Sequence, residues 1–137
     1  MRIQVGISWD KRFDAALGFL KSLSVDDIAL RIPANPEEPD FSKAASAGEF
    51  FARAKAKVAS HGMELKSVIA AAGWQKIKMG LPGADQELEA WCNMLHGMGT
   101  AGIPILAYNF KLQTSSLLRT KPSTGRGAAS YKTFDYD

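Results

Sequence analysis

The chain has one cysteine, two histidines and no long apolar run, and each of these shortages excludes a class of protein. Because a single cysteine cannot form an internal disulfide, the chain is not a disulfide-stapled domain, and Cys92 fits a reducing compartment. No stretch reaches the roughly eighteen continuous apolar residues of a membrane span. The first residues, MRIQVGISWD, lack the apolar core of a signal peptide and read as a strand. We therefore expect a cytoplasmic protein that does not enter a membrane.

The short motifs of nucleotide and metal chemistry are also missing. Neither GxGxxG nor GxxxxGK[ST] occurs in the sequence. His61 and His96 each lack a second histidine, aspartate or glutamate at ligand spacing, so the residues predict no metal site and assign no catalytic group. Both histidines lie near predicted helix ends, where a capping or dipole role is ordinary. Cys92 falls on a predicted apolar stripe, which favours a small buried hydrophobe over a nucleophile.

The positive charge of the chain is concentrated at its carboxyl end. Residues 1–107 hold twelve basic and twelve acidic residues, whereas residues 108–137 hold five basic and two acidic ones, so the net charge of +3 belongs to the last segment. The earlier basic residues are not gathered in a stripe, which argues against nucleic acid as a partner. A small anionic ligand bound near the last segment fits this distribution better.

Apolar periodicity predicts three strand and helix pairs followed by a fourth strand. The strands are predicted from Ile3 and over 27–32, 65–70 and 103–108, and the helices after a capping Asp10, over 42–60 and from residue 85. Proline and glycine place loops at 33–40 and 71–83. The predicted buried faces of the helices are Phe13, Ala16, Leu17 and Leu20, then Phe50, Phe51, Ala54 and Val58, then Leu88, Trp91, Cys92, Leu95 and Met98.

Strands that alternate with helices run parallel, with right-handed crossovers. Two folds obey that order: an open doubly wound sheet and a (β/α)₈ barrel, which takes ~250 residues when complete. In either fold, chemistry lies at the carboxyl ends of the strands.

Three candidate site residues follow from that rule, and two more lie in the basic last segment. Tyr108 and Asn109 end the fourth strand and are predicted to hydrogen-bond ligand hydroxyls, the alternative being a turn asparagine and a half-buried tyrosine. Trp9 either forms an apolar wall of the pocket or packs under a neighbouring loop. Arg119 and Arg126 either pair bidentately with a substrate carboxylate or are solvated loop arginines.

Five segments give the chain a resemblance to a known family. These are GISWD at 6–10, KIKMGLPGAD at 76–85, AGIPILAYNF at 101–110, RT at 119–120, and GRGAA followed by TFD within 125–135. In this order they resemble the amino-terminal part of the mannonate dehydratases, which are metal-dependent sugar-acid lyases on a xylose-isomerase-like barrel. The resemblance favours the substrate-binding role of Arg119 and Arg126.

The resemblance implies an α/β partial (β/α)₈ TIM barrel of about four parallel strands and three helices over residues 1–108. A long loop on the active-site side follows over residues 109–137. The implied reaction is dehydration of D-mannonate to 2-keto-3-deoxy-D-gluconate with Mn²⁺, or Fe²⁺, whose ligands lie outside this chain. The expected ligand is a small sugar acid, and the chain alone is expected to be an inactive fragment.

Two alternatives stay open. A related sugar isomerase or epimerase shares the enediolate-type chemistry on the same kind of barrel. A small non-catalytic module of four strands, binding an anion or a sugar, also fits. Half a barrel exposes two strand edges, so pairing into a homo-oligomer is a further expectation.

Overall fold

The structure is a computed structural model that describes residues 1–32, 39–70 and 73–109, with the backbone of residues 123–124 and 130–131. Its elements in chain order are β1 (Gln4–Ser8), α1 (Phe13–Ser22), β2 (Asp27–Arg31), α2 (Ala44–Ser60), β3 (Glu64–Ala70), α3 (Gln75–Met79), α4 (Ala84–Thr100), β4 (Ile105–Tyr108), β5 (Ser123–Thr124) and β6 (Ser130–Tyr131).

The first four strands form one sheet in the order β1-β2-β3-β4, and every neighbouring pair is parallel. This topology confirms the predicted α/β class and the predicted parallel order. In the segment predicted as a loop over 109–137, β5 and β6 form a two-residue antiparallel pair. The division into a half-barrel over 1–108 and a loop over 109–137 stays a prediction.

The core lies between the sheet and the helices, on one face of the sheet. Ile28 and Leu30 of β2 and Val68 of β3 are fully buried there. The helix residues packed on this face include Phe13, Leu17 and Leu20 of α1, Phe50, Phe51, Ala54 and Val58 of α2, and Met94 and Met98 of α4. The predicted apolar faces of α1 and α2 are thereby confirmed, except that Ala16 is only half-buried.

The predicted face of α4 was wrong in part. Met98 is buried and Trp91 is half-buried against the core, but Leu88, Cys92 and Leu95 are exposed. Gly97 of α4 lies close against α2, since an added Cβ there would lie 2.6 Å from Cβ of Ala47. The two helices therefore approach each other closely at a glycine.

One boundary also differs from the prediction. The segment 71–83 was expected to be a loop, but it contains the short helix α3, which begins after Trp74 in the left-handed region (φ 63°). Glu87 stabilises this helix from α4, because its Oε2 accepts a hydrogen bond from the Ile77 amide at 2.8 Å. Periodicity gave the third predicted helix no definite end; in the structure α4 runs through Gly97 and Gly99 and ends at Thr100.

A register shift in β3 decides which side chains face away from the helices. Ile28 pairs with Leu65, but the next residue, Ala29, pairs with Ser67, so Lys66 is the extra residue of a bulge. The bulge lets Leu65 and Val68 both enter the core. It also places Ser67 on the opposite face, where its Oγ accepts a hydrogen bond from Nε2 of Gln4 at 3.0 Å. We call this second face the inner face of the sheet.

No helix in the described part of the chain combines the length and apolar character that a bilayer crossing requires.

Candidate functional site

The carboxyl ends of the four parallel strands lie at one edge of the sheet. Ser8 at the end of β1 pairs with Arg31 at the end of β2, and Arg31 pairs in turn with Ile69. Ala70 at the end of β3 pairs with Tyr108 at the end of β4. Because ligands of parallel α/β folds bind outside this edge, its side chains form the candidate site.

Arg31 is a charged side chain at this edge to which the sequence assigned a strand-end position but no binding role. Its side chain is exposed and lies on the inner face across Gly6, where an added Cβ would be 3.0 Å from Nε and 3.3 Å from Nη2. The Cδ1 atom of Ile69 lies 3.4 Å from the same point. Glycine at position 6 therefore leaves the space that the guanidinium occupies. The available signal was the placement of an arginine as the last residue of an apolar strand.

The guanidinium of Arg31 has no hydrogen bond or ion pair with any residue that the structure describes. An arginine presents planar, permanently charged donors that match a carboxylate bidentately. This side chain is therefore chemically suited to an anionic ligand at the carboxyl edge.

At the amino ends of the strands, the inner face carries a network of ion pairs. Nε of Arg2 donates to Oδ2 of Asp27 at 2.8 Å, Nη2 of Arg2 also donates to Oδ1 of Asp27, and it reaches Oε2 of Glu64 at 3.2 Å. The hydrogen bond from Arg2 lowers the pKa of the buried Asp27 carboxyl. Lys66 pairs with Glu64 at 2.6 Å. The amino end is thus a paired network, whereas Arg31 at the carboxyl end has no partner among the described residues.

Tyr108 and Asn109, both predicted as binding residues, lie at the candidate edge. The Tyr108 side chain is 63% exposed, and its ring centroid is 6.2 Å from that of Trp91 in an edge-to-face contact. Asn109 is half-buried directly after β4. Their predicted hydrogen bonds to a ligand stay predictions.

Trp9 contacts the helix layer. Its ring centroid lies 4.7 Å from that of Phe13 and 5.0 Å from that of Phe50, and the Arg53 guanidinium carbon lies 5.9 Å from the ring. These contacts are with helix residues and not with a loop, as the alternative to a pocket wall had it, and the wall role stays a prediction. A continuous line of ring contacts joins Trp9 to the far strand through Phe50, Phe41, Trp74, Trp91 and Tyr108.

The other two predicted site residues, Arg119 and Arg126, lie outside the described residues.

A shallow cleft of about 420 Å³ opens beside β1, with Ser8, Asp10 and Arg12 among its lining residues. Asp10 was expected to cap α1, but α1 begins only at Phe13, and the Asp10 carboxylate instead accepts a hydrogen bond from the Arg12 amide at 2.8 Å. That bond lowers the pKa of Asp10. Asp10 is consequently an ionised, locally paired carboxylate, and Arg12 is its neighbour at 3.4 Å.

The described residues do not fit a metal ion. They include no group of three or more histidine, cysteine, aspartate or glutamate side chains arranged to hold one. His61 contacts Asp14, with 3.3 Å between Nε2 and Oδ1, and Cys92 is exposed on α4. We therefore assign no step through Mn²⁺ or Fe²⁺ to these residues.

One comparison with solved structures bears on the fold. The chain is similar to the mannonate dehydratase of Streptococcus suis serotype 2, with a TM-score of 0.60 and 22% sequence identity. The similarity covers 80% of this chain and 30% of that one, so the chain spans less than a third of the length of this enzyme. The four parallel strands and their helices therefore match part of a TIM-barrel enzyme. No protein-family model matches the chain.

Proposed function

We propose that this chain supplies the carboxylate-binding part of a mannonate dehydratase-like lyase, which dehydrates D-mannonate to 2-keto-3-deoxy-D-gluconate. The observation that carries the proposal is the Arg31 guanidinium, which lies without a partner among the described residues at the carboxyl edge of the sheet. The partial match to the fold of a mannonate dehydratase supports the choice of this sugar acid over other anions.

The chemistry of the reaction explains the need for such a cation. The proton alpha to a carboxylate is a very weak acid, and its removal places additional negative charge on the carboxylate oxygens. A positioned guanidinium stabilises that charge more than it stabilises the ground state. In the proposal, Arg31 pairs with the carboxylate, and Tyr108 and Asn109 hydrogen-bond hydroxyls further along the sugar chain. Arg119 and Arg126 retain their proposed roles as additional carboxylate partners.

The same geometry supports a second function, a sugar-acid-binding module without catalysis. The observation in its favour is that Asp10, a carboxylate at this edge, is paired locally and has a lowered pKa, which makes it a poor proton acceptor. The expectation that this chain alone does not turn over D-mannonate in the presence of Mn²⁺ stays a prediction. Release of a keto-deoxy sugar acid would favour the lyase, and release of an isomerised sugar would favour the isomerase or epimerase alternative.

Binding of D-mannonate to the 137-residue chain tests the proposal directly. We expect saturable binding by isothermal titration or NMR, and much weaker binding of mannitol, a neutral polyol without the carboxylate. Arg31→Gln is expected to weaken D-mannonate binding roughly tenfold or more, because a bidentate charged contact is lost. The matched control is Lys21→Gln, which removes the same charge from the last turn of α1.

Two results would contradict the proposal. The first is the absence of saturable D-mannonate binding to a folded chain. The second is equal affinity of the parent chain and Arg31→Gln, which would place the anion elsewhere.

A further inference from the structure

Trp74, which follows β3 at the carboxyl edge of the sheet, has an unfavourable backbone conformation. Its φ is 63° and its ψ is 33°, and among the described non-glycine residues only Ser24 also has a positive φ. The Cβ of an L-residue is disfavoured in this left-handed region, whereas glycine enters it freely. Outliers of this kind persist where surrounding contacts hold them, and they cluster at ligand-binding sites. The contacts of the Trp74 ring must therefore offset the cost of its backbone.

The Trp74 ring contacts two other aromatic rings. The Trp91 ring of α4 meets it edge to face, with 4.9 Å between the centroids and 89° between the planes. The Phe41 ring, from the segment before α2, stacks on it with 6.4 Å between the centroids and 25° between the planes. Trp91 in turn contacts Tyr108, the last residue of β4, edge to face at 6.2 Å. Trp91 thus contacts both the segment after β3 and the end of β4.

Polar contacts hold the same segments against α4. Nδ2 of Asn93 donates hydrogen bonds to the backbone oxygens of Phe41 at 3.2 Å and Ser42 at 3.1 Å. Oε2 of Glu87 accepts a hydrogen bond from the Ile77 amide, which holds α3 in place. Three successive segments of the carboxyl edge, after β2, after β3 and at the end of β4, are therefore attached to one helix.

We propose that Trp74 is a positioning residue for the candidate site, because it fixes Trp91, and Trp91 fixes the ring of Tyr108. This role rests on the proposed function, in which Tyr108 hydrogen-bonds the sugar acid. The Tyr108 side chain is 63% exposed, and a freely rotating ring would lose conformational entropy on binding. A ring that is held in advance avoids this loss. The affinity for a sugar acid then depends on Trp74, although Trp74 does not touch the ligand.

The first experiment measures the ring of Tyr108 without any ligand. NMR signals of its ring protons, assigned by their loss in Tyr108→Phe, report the ring current of Trp91 and therefore the arrangement of the two rings. Trp74→Asn removes the indole and retains a residue that enters the left-handed region more readily than most. We expect this variant to shift the Tyr108 signals, and Trp74→Phe to return them toward those of the parent chain. Unchanged Tyr108 signals in a folded Trp74→Asn chain would overturn the proposal.

The second experiment measures D-mannonate affinity in a double-mutant cycle. Tyr108→Phe is expected to weaken binding about fivefold through loss of a hydrogen bond, and Trp74→Asn about as much through misplacement of the same hydroxyl. If Trp74 acts through Tyr108, the double variant binds no more weakly than Tyr108→Phe alone. Trp74→Phe keeps an aromatic contact with Trp91 and should bind within about twofold of the parent chain. Losses that multiply in the double variant would contradict the positioning role.

The control for a general loss of stability is Val58→Ala. It leaves a cavity in the core near the end of α2, away from the carboxyl edge, and should lower stability without changing the Tyr108 signals or the affinity. Equal changes in Val58→Ala and Trp74→Asn would show that Trp74 acts only through overall stability. Circular dichroism verifies that each variant is folded, and Trp91→Leu, which breaks the same series of ring contacts, replaces Trp74→Asn if that variant is not.

The positioning role and the proposed function fail separately. Absence of D-mannonate binding to the folded parent chain overturns the proposed function. The Tyr108 signals decide, without a ligand, whether Trp74 fixes the ring. Normal binding by the parent chain together with unchanged signals and affinity in Trp74→Asn would overturn the positioning role alone.

Discussion

Arg2 and Arg31 lie near opposite ends of the inner face and have opposite surroundings. Arg2 is held by the buried Asp27 and by Glu64, within hydrogen-bond distance of both. Arg31 is exposed, rests over Gly6, and has no charged partner among the described residues. A paired charge at the amino end stabilises the fold, whereas an unpaired charge at the carboxyl end is available to a ligand. This division is typical of barrel enzymes, in which the carboxyl ends carry function and the amino ends carry stability.

The largest stability effect is expected at the paired end. Asp27→Asn removes the charge that holds Arg2 and should lower the free energy of unfolding at pH 7 by about 1 to 2 kcal/mol, as measured by urea denaturation. The control Glu89→Gln removes an exposed charge from α4 and should change stability by less than about 0.5 kcal/mol. Equal effects of the two substitutions would show that the amino-end network adds nothing.

The effect of Asp27→Asn should also depend on pH. Because Arg2 lowers the pKa of Asp27 in the folded state, the unfolded state binds more protons between the folded and unfolded pKa values. The stabilisation by Asp27 is therefore complete above about pH 4, the ordinary carboxyl pKa, and is lost as the pH falls through the folded value. The stability difference between parent and variant should shrink at low pH in urea titrations, and a constant difference would contradict the assignment.

At the carboxyl end, substitution of Arg31 should change ligand binding and leave stability nearly unchanged. Arg31→Gln is expected to change the free energy of unfolding by no more than about 0.5 kcal/mol, because no contact with a described charged group is lost. The same variant should bind D-mannonate much more weakly. A large loss of stability on this substitution would mean that Arg31 is a structural residue like Arg2, and the comparison would fail.

The smallest expected effect on stability is that of Gly6→Ala. Its added Cβ would lie 3.0 Å from Nε of Arg31, so the flexible guanidinium must move aside while the strand is retained. We expect an unchanged fold by circular dichroism and weaker D-mannonate binding than in the parent chain. Gly18→Ala, at a position with no atom within 4 Å of the added Cβ, is the matched control and should bind normally.

Helical periodicity predicted the buried face of α2 correctly but the buried face of α4 only in part. The buried residues Phe50, Phe51, Ala54 and Val58 of α2 were predicted correctly, because only one apolar stripe runs along that helix. Two stripes run along α4, and the sequence does not say which of them faces the sheet. The structure buries Met94, Gly97 and Met98, whereas Leu88, Cys92 and Leu95 of the predicted stripe are exposed.

The sequence predicted the edge of the sheet at which the candidate site lies, but only some of the residues proposed for it. The strand-end rule placed Tyr108 and Asn109 at the carboxyl edge, and the structure describes them there. Arg31 was not selected, because its position over Gly6 and beside Ile69 depends on residues that are distant in sequence. The bulge at Lys66 was equally hidden, since a shift of register changes no local pattern of apolar residues.

The order of strands and helices, the parallel direction of the sheet and the core faces of α1 and α2 were determined by the sequence alone, because periodicity and connection lengths are local properties. Tertiary structure decided the pairing of Arg2 with Asp27 and Glu64, the exposure of Arg31 over Gly6 and the face of α4 that meets α2. These features depend on strand register and on distances between residues far apart in the chain, which apolar periodicity does not specify.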